Sequence, residues 1–184
     1  MDTRETIMAV ARRTAQAHGY NGLSFRELAK VVGIKSASIH YHFPTKGDLG
    51  AALARQYRED ASAALENVRQ RSPTPGECLA RYAAIYRLAL ANGNRMCLCG
   101  FMAAEYDDLP DAVKAEVQAF ADVNVAWLGG VLGDAGFDPA AAGRRAMAIF
   151  AAVGGAQLIA RSRNDIGLYD AIVEDYRVSG LFPA

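Results

Sequence analysis

The sequence predicts an all-α protein, and three observations carry that prediction. Apolar residues recur at spacings of three and four along almost the whole chain. No stretch shows the two-residue alternation of a half-buried strand, and no internal repeat or low-complexity tract is present. Turn-forming clusters, such as Asn21-Gly22, Ser72-Pro73-Thr74-Pro75-Gly76, Asn92-Gly93-Asn94 and Gly136-Phe137-Asp138-Pro139, fall between the periodic stretches and divide the chain into about nine helices. With 184 residues, 52% of them apolar, the chain can bury a substantial core and is not of disordered composition.

The first helix is expected over residues 2–18. Asp2 and Thr3 are N-cap types, Glu5 and Thr6 follow three residues on, and Ile7, Val10, Ala11, Thr14 and Ala15 share one face. Gly19 is a plausible stop. Ser24 then caps a second helix with Glu27 as its capping-box partner, and Phe25, Leu28, Ala29 and Val32 face inward. Gly33 makes the turn, where positive φ would exclude other residues. A third helix is read from Lys35 to Phe43 and is closed by Pro44. Ile39 and Phe43 anchor it, Ile34 packs under the turn, and Ala37 is small where the two helices cross. Lys35, Ser36, Ser38, His40, Tyr41 and His42 are left mostly outward.

Two short amphipathic helices joined at a glycine, the second presenting hydroxyls, imidazoles and a cation, suit entry into a DNA groove. Lys46 joins Tyr41 and His42 at the far end, and the start of the second helix, with Ser24, offers a second phosphate seat. The charge distribution agrees in sign. The net charge is zero, which alone argues against a general nucleic-acid binder, but residues 1–50 carry seven Lys/Arg against four acids while the remainder carries thirteen against sixteen.

Residues 5–50 resemble the DNA-binding domain of the TetR family of transcriptional regulators. Gly19, Ser24, the Leu28-Ala29 pair, Gly33 and above all the run Tyr41-His42-Phe43-Pro44-Thr45-Lys46 followed by Leu49 carry the resemblance. It implies an N-terminal three-helix DNA-binding domain with a helix-turn-helix (1–47) and a larger helical ligand-binding and dimerisation domain (48–184). It also implies that Tyr41, His42 and Lys46 hold phosphates while Ser36, Ala37, Ser38 and His40 lie nearest the bases. Two positions depart from the common pattern. Lys35 stands where a small hydroxyl residue usually caps the third helix, and His40 stands where an aromatic is usual.

Beyond the reader, a long helix is expected from Lys46 to about Arg71, striped by Leu49, Leu53, Gln56, Tyr57, Asp60, Ala64, Leu65 and Val68. Helices follow over about 77–91, a short apolar segment from Cys97, about 110–135, 139–163 and 166–178. Asn164-Asp165 can cap the last, and the acids Glu105, Asp107 and Asp108 are read as serving the helix that begins near Pro110. The helix from Pro139 is rich in small residues (Ala141, Ala142, Ala146, Ala148, Ala151, Ala152, Gly154, Gly155, Ala156, Ala160), which permits close helix approach. Leu168, Ala171, Ile172 and Tyr176 add a face on the last helix. The resemblance implies a homodimer through these last two long helices, and a two-helix reader needs such symmetry to bind two half-sites of a palindromic double-stranded operator.

Tyr57, Tyr82, Tyr86, Phe101, Met102, Phe120, Trp127, Met147 and Phe150 are candidates to line a cavity for an apolar small-molecule effector, against the plainer reading that they form core. Cys97 and Cys99, two apart, point about 200° apart on a helix and cannot grip one metal together. Either one reacts as a thiol if a neighbour such as Arg95 lowers its pKa, and the plainer reading is small buried residues. Three cysteines in all argue for a reducing compartment.

No metal, cofactor or catalytic constellation is expected. There is no Gly-rich phosphate loop or His-Glu-x-x-His, and all three histidines lie in the first 42 residues. The start of the chain has early acids and no long apolar run, so no signal peptide is expected. The apolar run 146–160 is short of a bilayer span. The sequence therefore predicts a cytoplasmic, non-enzymatic DNA-binding regulator, a repressor released by a small ligand. A thiol-based, redox- or electrophile-responsive repressor and a helical adaptor without DNA binding are the alternatives.

Overall fold

The computed structural model describes residues 2–183, and those residues contain nine α-helices, one short 3₁₀ turn and no strand. The helices are α1 (Thr3–His18), α2 (Phe25–Val32), α3 (Ser36–His42), α4 (Lys46–Arg71), α5 (Pro75–Ala91), α6 (Leu98–Ala104), α7 (Asp111–Asp134), α8 (Pro139–Ser162) and α9 (Ile166–Val178), with the 3₁₀ turn at Tyr106–Asp108 between α6 and α7. None is long and apolar enough to cross a membrane.

Local chemistry sets the ends. The Glu5 carboxylate reaches back to the Asp2 N–H at 3.2 Å, closing the start of α1. Asp138 accepts from Ala140 and Ala141 at 3.0 Å each, with Pro139 at the first position of α8. Asp165 accepts from Leu168 at the start of α9. The sequence placed the start of α5 near Glu77 because two prolines precede it. In fact Thr74 caps the helix by accepting from the Glu77 N–H, and Pro75 is its first residue. A proline that stops one helix is well suited to begin the next, since its missing N–H is an orphan there in any case.

The helices form two compact units. One comprises the chain up to Glu59 together with Cys97–Phe120, and the other comprises Asp60–Met96 and Ala121–Ala184. These units are discontinuous and differ from a simple division at residue 47, because α6, the 3₁₀ turn and the first part of α7 pack with the reader. In the first unit α1 packs on α2, α3 and α6 around Ile7, Ala11, Ala15, Leu28, Ala29, Ile39, Phe43, Leu49 and Leu53. Arg55 and Arg58 of α4 both donate to the Glu116 carboxylate of α7.

In the second unit α5, α8 and α9 pack on one another. Ala142, Ala146, Ile149, Val153, Ala156 and Ala160 trace the buried side of α8. Tyr169 of α9 is buried and donates to the Ala83 carbonyl at 2.7 Å, and Arg87 holds Asp170 in a two-pronged pair.

Candidate nucleic-acid interface

The helix-turn-helix is built by three local devices. Ser24 accepts from the Glu27 N–H at 3.5 Å, so one half of the expected capping box is present. The other half is not formed, because the Glu27 carboxylate turns to Lys30 Nζ at 2.9 Å. Gly33 sits at φ 79, ψ 32, and both Gly33 and Ile34 donate to the Ala29 carbonyl, at 2.9 and 3.0 Å. Lys35 is extended and precedes α3 without a side-chain cap, so this departure from the common pattern leaves the helix start to backbone bonds such as Ser38 N–H to the Lys35 carbonyl.

Ile39 of α3 and Phe43, the extended residue that ends the helix, are buried, as the spacing required. Lys35, Ala37, His40 and Tyr41 are exposed, while Ser36, Ser38 and His42 are half-buried. Tyr41 is 85% exposed, with its ring edge-on to His42 at 5.2 Å. Ala37 does not sit at the helix crossing, as its size suggested, but faces outward. His40 stacks edge-on against Phe25 at 4.8 Å, and its Nδ1 lies 3.3 Å from the Pro44 carbonyl. The unusual residue at this position thus also braces the turn after α3.

Lys46 turns to the segment between α1 and α2. Its Nζ is 4.4 Å from the Tyr20 ring centroid and donates to the Asn21 carbonyl at 3.4 Å. Thr45 and Asp48 make a reciprocal cap at the start of α4: the Thr45 N–H and hydroxyl reach Asp48 Oδ2 at 2.9 and 2.7 Å, and the Asp48 N–H reaches Thr45 Oγ1 at 3.1 Å. The Thr-x-x-Asp spacing is the sequence signature of this cap. Val31, 69% exposed on α2, and Arg4, over the Phe43 ring at 5.1 Å, are neighbours of the reader that periodicity alone did not single out.

The pocket candidates fall into two groups. In the first unit, Tyr57 packs at a tilt against Phe120 at 5.4 Å beneath Arg12, while Met102 is fully buried and Phe101 half-buried. In the second, Tyr82 and Tyr86 lie with their hydroxyls 3.3 Å apart, and both reach Asn124 Oδ1, at 3.1 and 3.5 Å. Trp127 stacks on Tyr82 at 5.7 Å, and its indole Nε1 is buried without a hydrogen-bond partner. Asn124, 2% exposed on α7, is the polar centre of this cluster. Phe150 is half-buried.

Met147 is corrected: it is 57% exposed on the outer side of α8, because Ala146 and Ile149 take the buried side. A surface groove of about 540 Å³ in the second unit lies elsewhere, lined by residues such as Thr74, Ala80, Val173, Arg177 and Phe182.

The reactive-thiol reading is not favoured. Cys97 and Cys99 are both buried. Burial pushes the Cys97 thiol up, more than a hydrogen bond with Tyr57 and the charge of Arg12 pull it down. Burial pushes Cys99 up as well, with a contribution from Cys97. The cation acting on the pair is Arg12 (with Arg58 on Cys99), not Arg95, and it does not overcome desolvation.

An all-helical chain with a helix-turn-helix at its N-terminus and a long helix leading into a larger helical assembly defines the class of two-part regulators. Residues 7–53 match the family model described as bacterial regulatory proteins, tetR family. Nearly the whole chain is similar to a TetR transcriptional regulator from Legionella pneumophila of known structure, at 32% identity and a TM-score of 0.92 over 97% of both chains. A TetR-family transcriptional regulator from Agrobacterium tumefaciens is similar at 33% identity and a TM-score of 0.88 over 94% of both. Over 65 residues the chain is 42% identical to the HTH-type transcriptional repressor AcnR of Corynebacterium diphtheriae. That match covers 35% of this chain and spans about a third (33%) of the repressor's length. The chain belongs to the TetR family.

Proposed function

We propose that this protein is a DNA-binding transcriptional repressor that acts as a homodimer on a palindromic operator and is released by a small ligand. The observation that carries the reading is the outward face of α3. Small residues there allow close approach, Tyr41 projects into solvent, and Ile39 and Phe43 fix the helix from behind. In this reading Ser24, Tyr41, His42 and Lys46 hold phosphates and Lys35, Ser36, Ala37, Ser38 and His40 approach base edges. Lys46 exchanges its place over Tyr20 for a phosphate. The helix-turn-helix of residues 1–47 is the functional division of the chain, even though its packing partners extend to α6 and α7.

Dimerisation is supported by the second side of α8 and by α9. Met147, Leu158, Ile159 and Val178 are exposed there, and Ala148 and Ala151 lie among them. Such a face on a soluble chain favours a symmetric partner. Release by a ligand is supported by the Tyr82–Tyr86–Asn124–Trp127 cluster, where the unpaired indole N–H suits an effector with a hydrogen-bond acceptor on an otherwise apolar frame. Such a ligand shifts DNA affinity only through a difference in its own affinity for two forms of the dimer.

Selection of bound DNA from a random pool, followed by a salt-dependent gel shift, tests the reading. A palindromic consensus and an affinity falling steeply with salt are expected. Recovery of no consensus, together with binding insensitive to salt, refutes it and leaves the helical adaptor.

A further inference from the structure

Glu105 follows α6, and its carboxylate does not serve the next helix. It is seated on the turn between α1 and α2, where Oε2 accepts the Tyr20 N–H at 2.5 Å and Oε1 accepts the Asn21 N–H at 3.1 Å. Two consecutive backbone N–H groups gripping one carboxylate form an anion nest. Gly19 makes room for it: at φ 73, a Cβ there would lie 2.3 Å from the carboxylate. Asp108 accepts from Asn21 Nδ2 at 2.6 Å, and Lys46 donates to the Asn21 carbonyl. The Tyr20 ring is buried beside Gly50 of α4 and Val113 of α7.

The gripped turn lies directly before Ser24, the cap of α2, and α2 fixes α3 through the turn at Gly33. Lys46, the first residue of α4, closes on the same turn. A carboxylate 84 and 85 residues away from Asn21 and Tyr20 thus holds the entry to the reader.

We propose that Glu105, outside the helix-turn-helix, is a positioning residue for sequence-specific DNA binding, acting through the Gly19–Asn21 turn. The proposal rests on the DNA-binding reading above. It makes a prediction of unusual sign. Removing a negative charge from a DNA-binding protein strengthens binding by electrostatics alone. Loss of the nest weakens specific binding instead, because α2 and α3 are no longer held in one placement.

The test compares the parent, Glu105→Gln and the charge-matched control Asp107→Asn, an exposed acid of the neighbouring 3₁₀ turn, on the operator selected by the parent and on scrambled DNA. Glu105→Gln should bind the operator roughly tenfold more weakly, the scale of a lost charge-assisted hydrogen bond, with binding to scrambled DNA unchanged or tighter. Asp107→Asn should bind the operator as well as the parent or better. Hydrogen exchange at the Tyr20 and Asn21 amides should accelerate in Glu105→Gln without a matching acceleration in α5 or α8. If Glu105→Gln fails to fold, Glu105→Asp, which keeps the charge but shortens the reach, is read by the same measurements. Equal operator affinity in Glu105→Gln and parent, or an equal loss in Asp107→Asn, overturns the proposal alone. A parent that selects no DNA overturns the DNA-binding reading and this proposal with it.

Discussion

Replacing Gly33 by alanine isolates a backbone cost from a packing cost. Gly33 holds φ 79, ψ 32, and a Cβ built there meets nothing within 4 Å. The substitution is therefore penalised by conformation alone. Placing an L-residue in the left-handed region costs about 1–2 kcal/mol, and the stiffer unfolded chain returns roughly 0.4–1 kcal/mol. The net destabilisation should be about 1 kcal/mol, a roughly fivefold change in the folded-to-unfolded ratio. Gly33→Asn should cost less, since asparagine tolerates this region through its short polar side chain.

The assay is urea unfolding followed by far-UV circular dichroism, with parent and variants at one protomer concentration, because a dimer's stability depends on concentration. The unfolding slope should not change, since no surface is lost. An alanine variant as stable as the parent would refute the left-handed turn. A loss above about 3 kcal/mol would refute the open space around it, because backbone conformation cannot supply that much. Equal losses for alanine and asparagine would also contradict the reasoning.

Gly50→Ala should destabilise for the opposite reason. Its Cβ would lie 2.7 Å from the Tyr20 ring and 3.1 Å from Val113, so overpacking of about 1–3 kcal/mol should exceed the gain of roughly 1 kcal/mol in helix propensity. Thermal melting of Gly50→Ala alone and with Tyr20→Leu should show strong non-additivity, and additive losses would count against the contact. Lys46→Gln should lower the slope of log affinity against log salt by about 0.9 if Lys46 reaches a phosphate, and an unchanged slope would leave Lys46 serving the Tyr20 ring.

Glu116→Gln reports on the pairing of α4 with α7 through its pH dependence. Burial alone would raise the Glu116 carboxyl, but hydrogen bonds and charge from Arg55 and Arg58 outweigh it and hold it below its ordinary 4.5. A depressed folded value means the stabilisation is fully present above the unfolded value and is lost as the pH falls through the folded one. The parent should exceed Glu116→Gln by about 1–2 kcal/mol at neutral pH, and the gap should close below pH 4.5. A gap independent of pH would mean that charge is not the cause.

Much of the architecture was legible because it rests on local signals. Periodicity placed the nine helices, and caps at Ser24 and Asp165, the proline at 139 and the glycine at 33 marked their ends. Ile39 and Phe43 were readable as anchors because a spacing of four puts both on one side of the chain as α3 ends. The partners of long polar side chains were less legible. The acids at 105–108 read as helix-start charges by proximity, whereas Glu105 and Asp108 reach the turn at Tyr20 and Asn21. Lys46 read as free for phosphate and closes on Tyr20. The cysteines' spacing excluded a shared metal grip, but their thiols' reactivity depended on burial and on Arg12, neither of which spacing encodes.

The sequence by itself determined that this chain is all-helical and carries a helix-turn-helix resembling the TetR readers, because helix periodicity, capping and turn chemistry act over three to five residues. Only the tertiary structure decided which side of the alanine-rich α8 is consumed inside the chain, that Asn124 gathers the hydroxyls of Tyr82 and Tyr86, and that the entry to the reader is held by Glu105. Those outcomes depend on contacts between residues tens of positions apart. Pattern can assign a residue to a face, but only packing decides what that face meets.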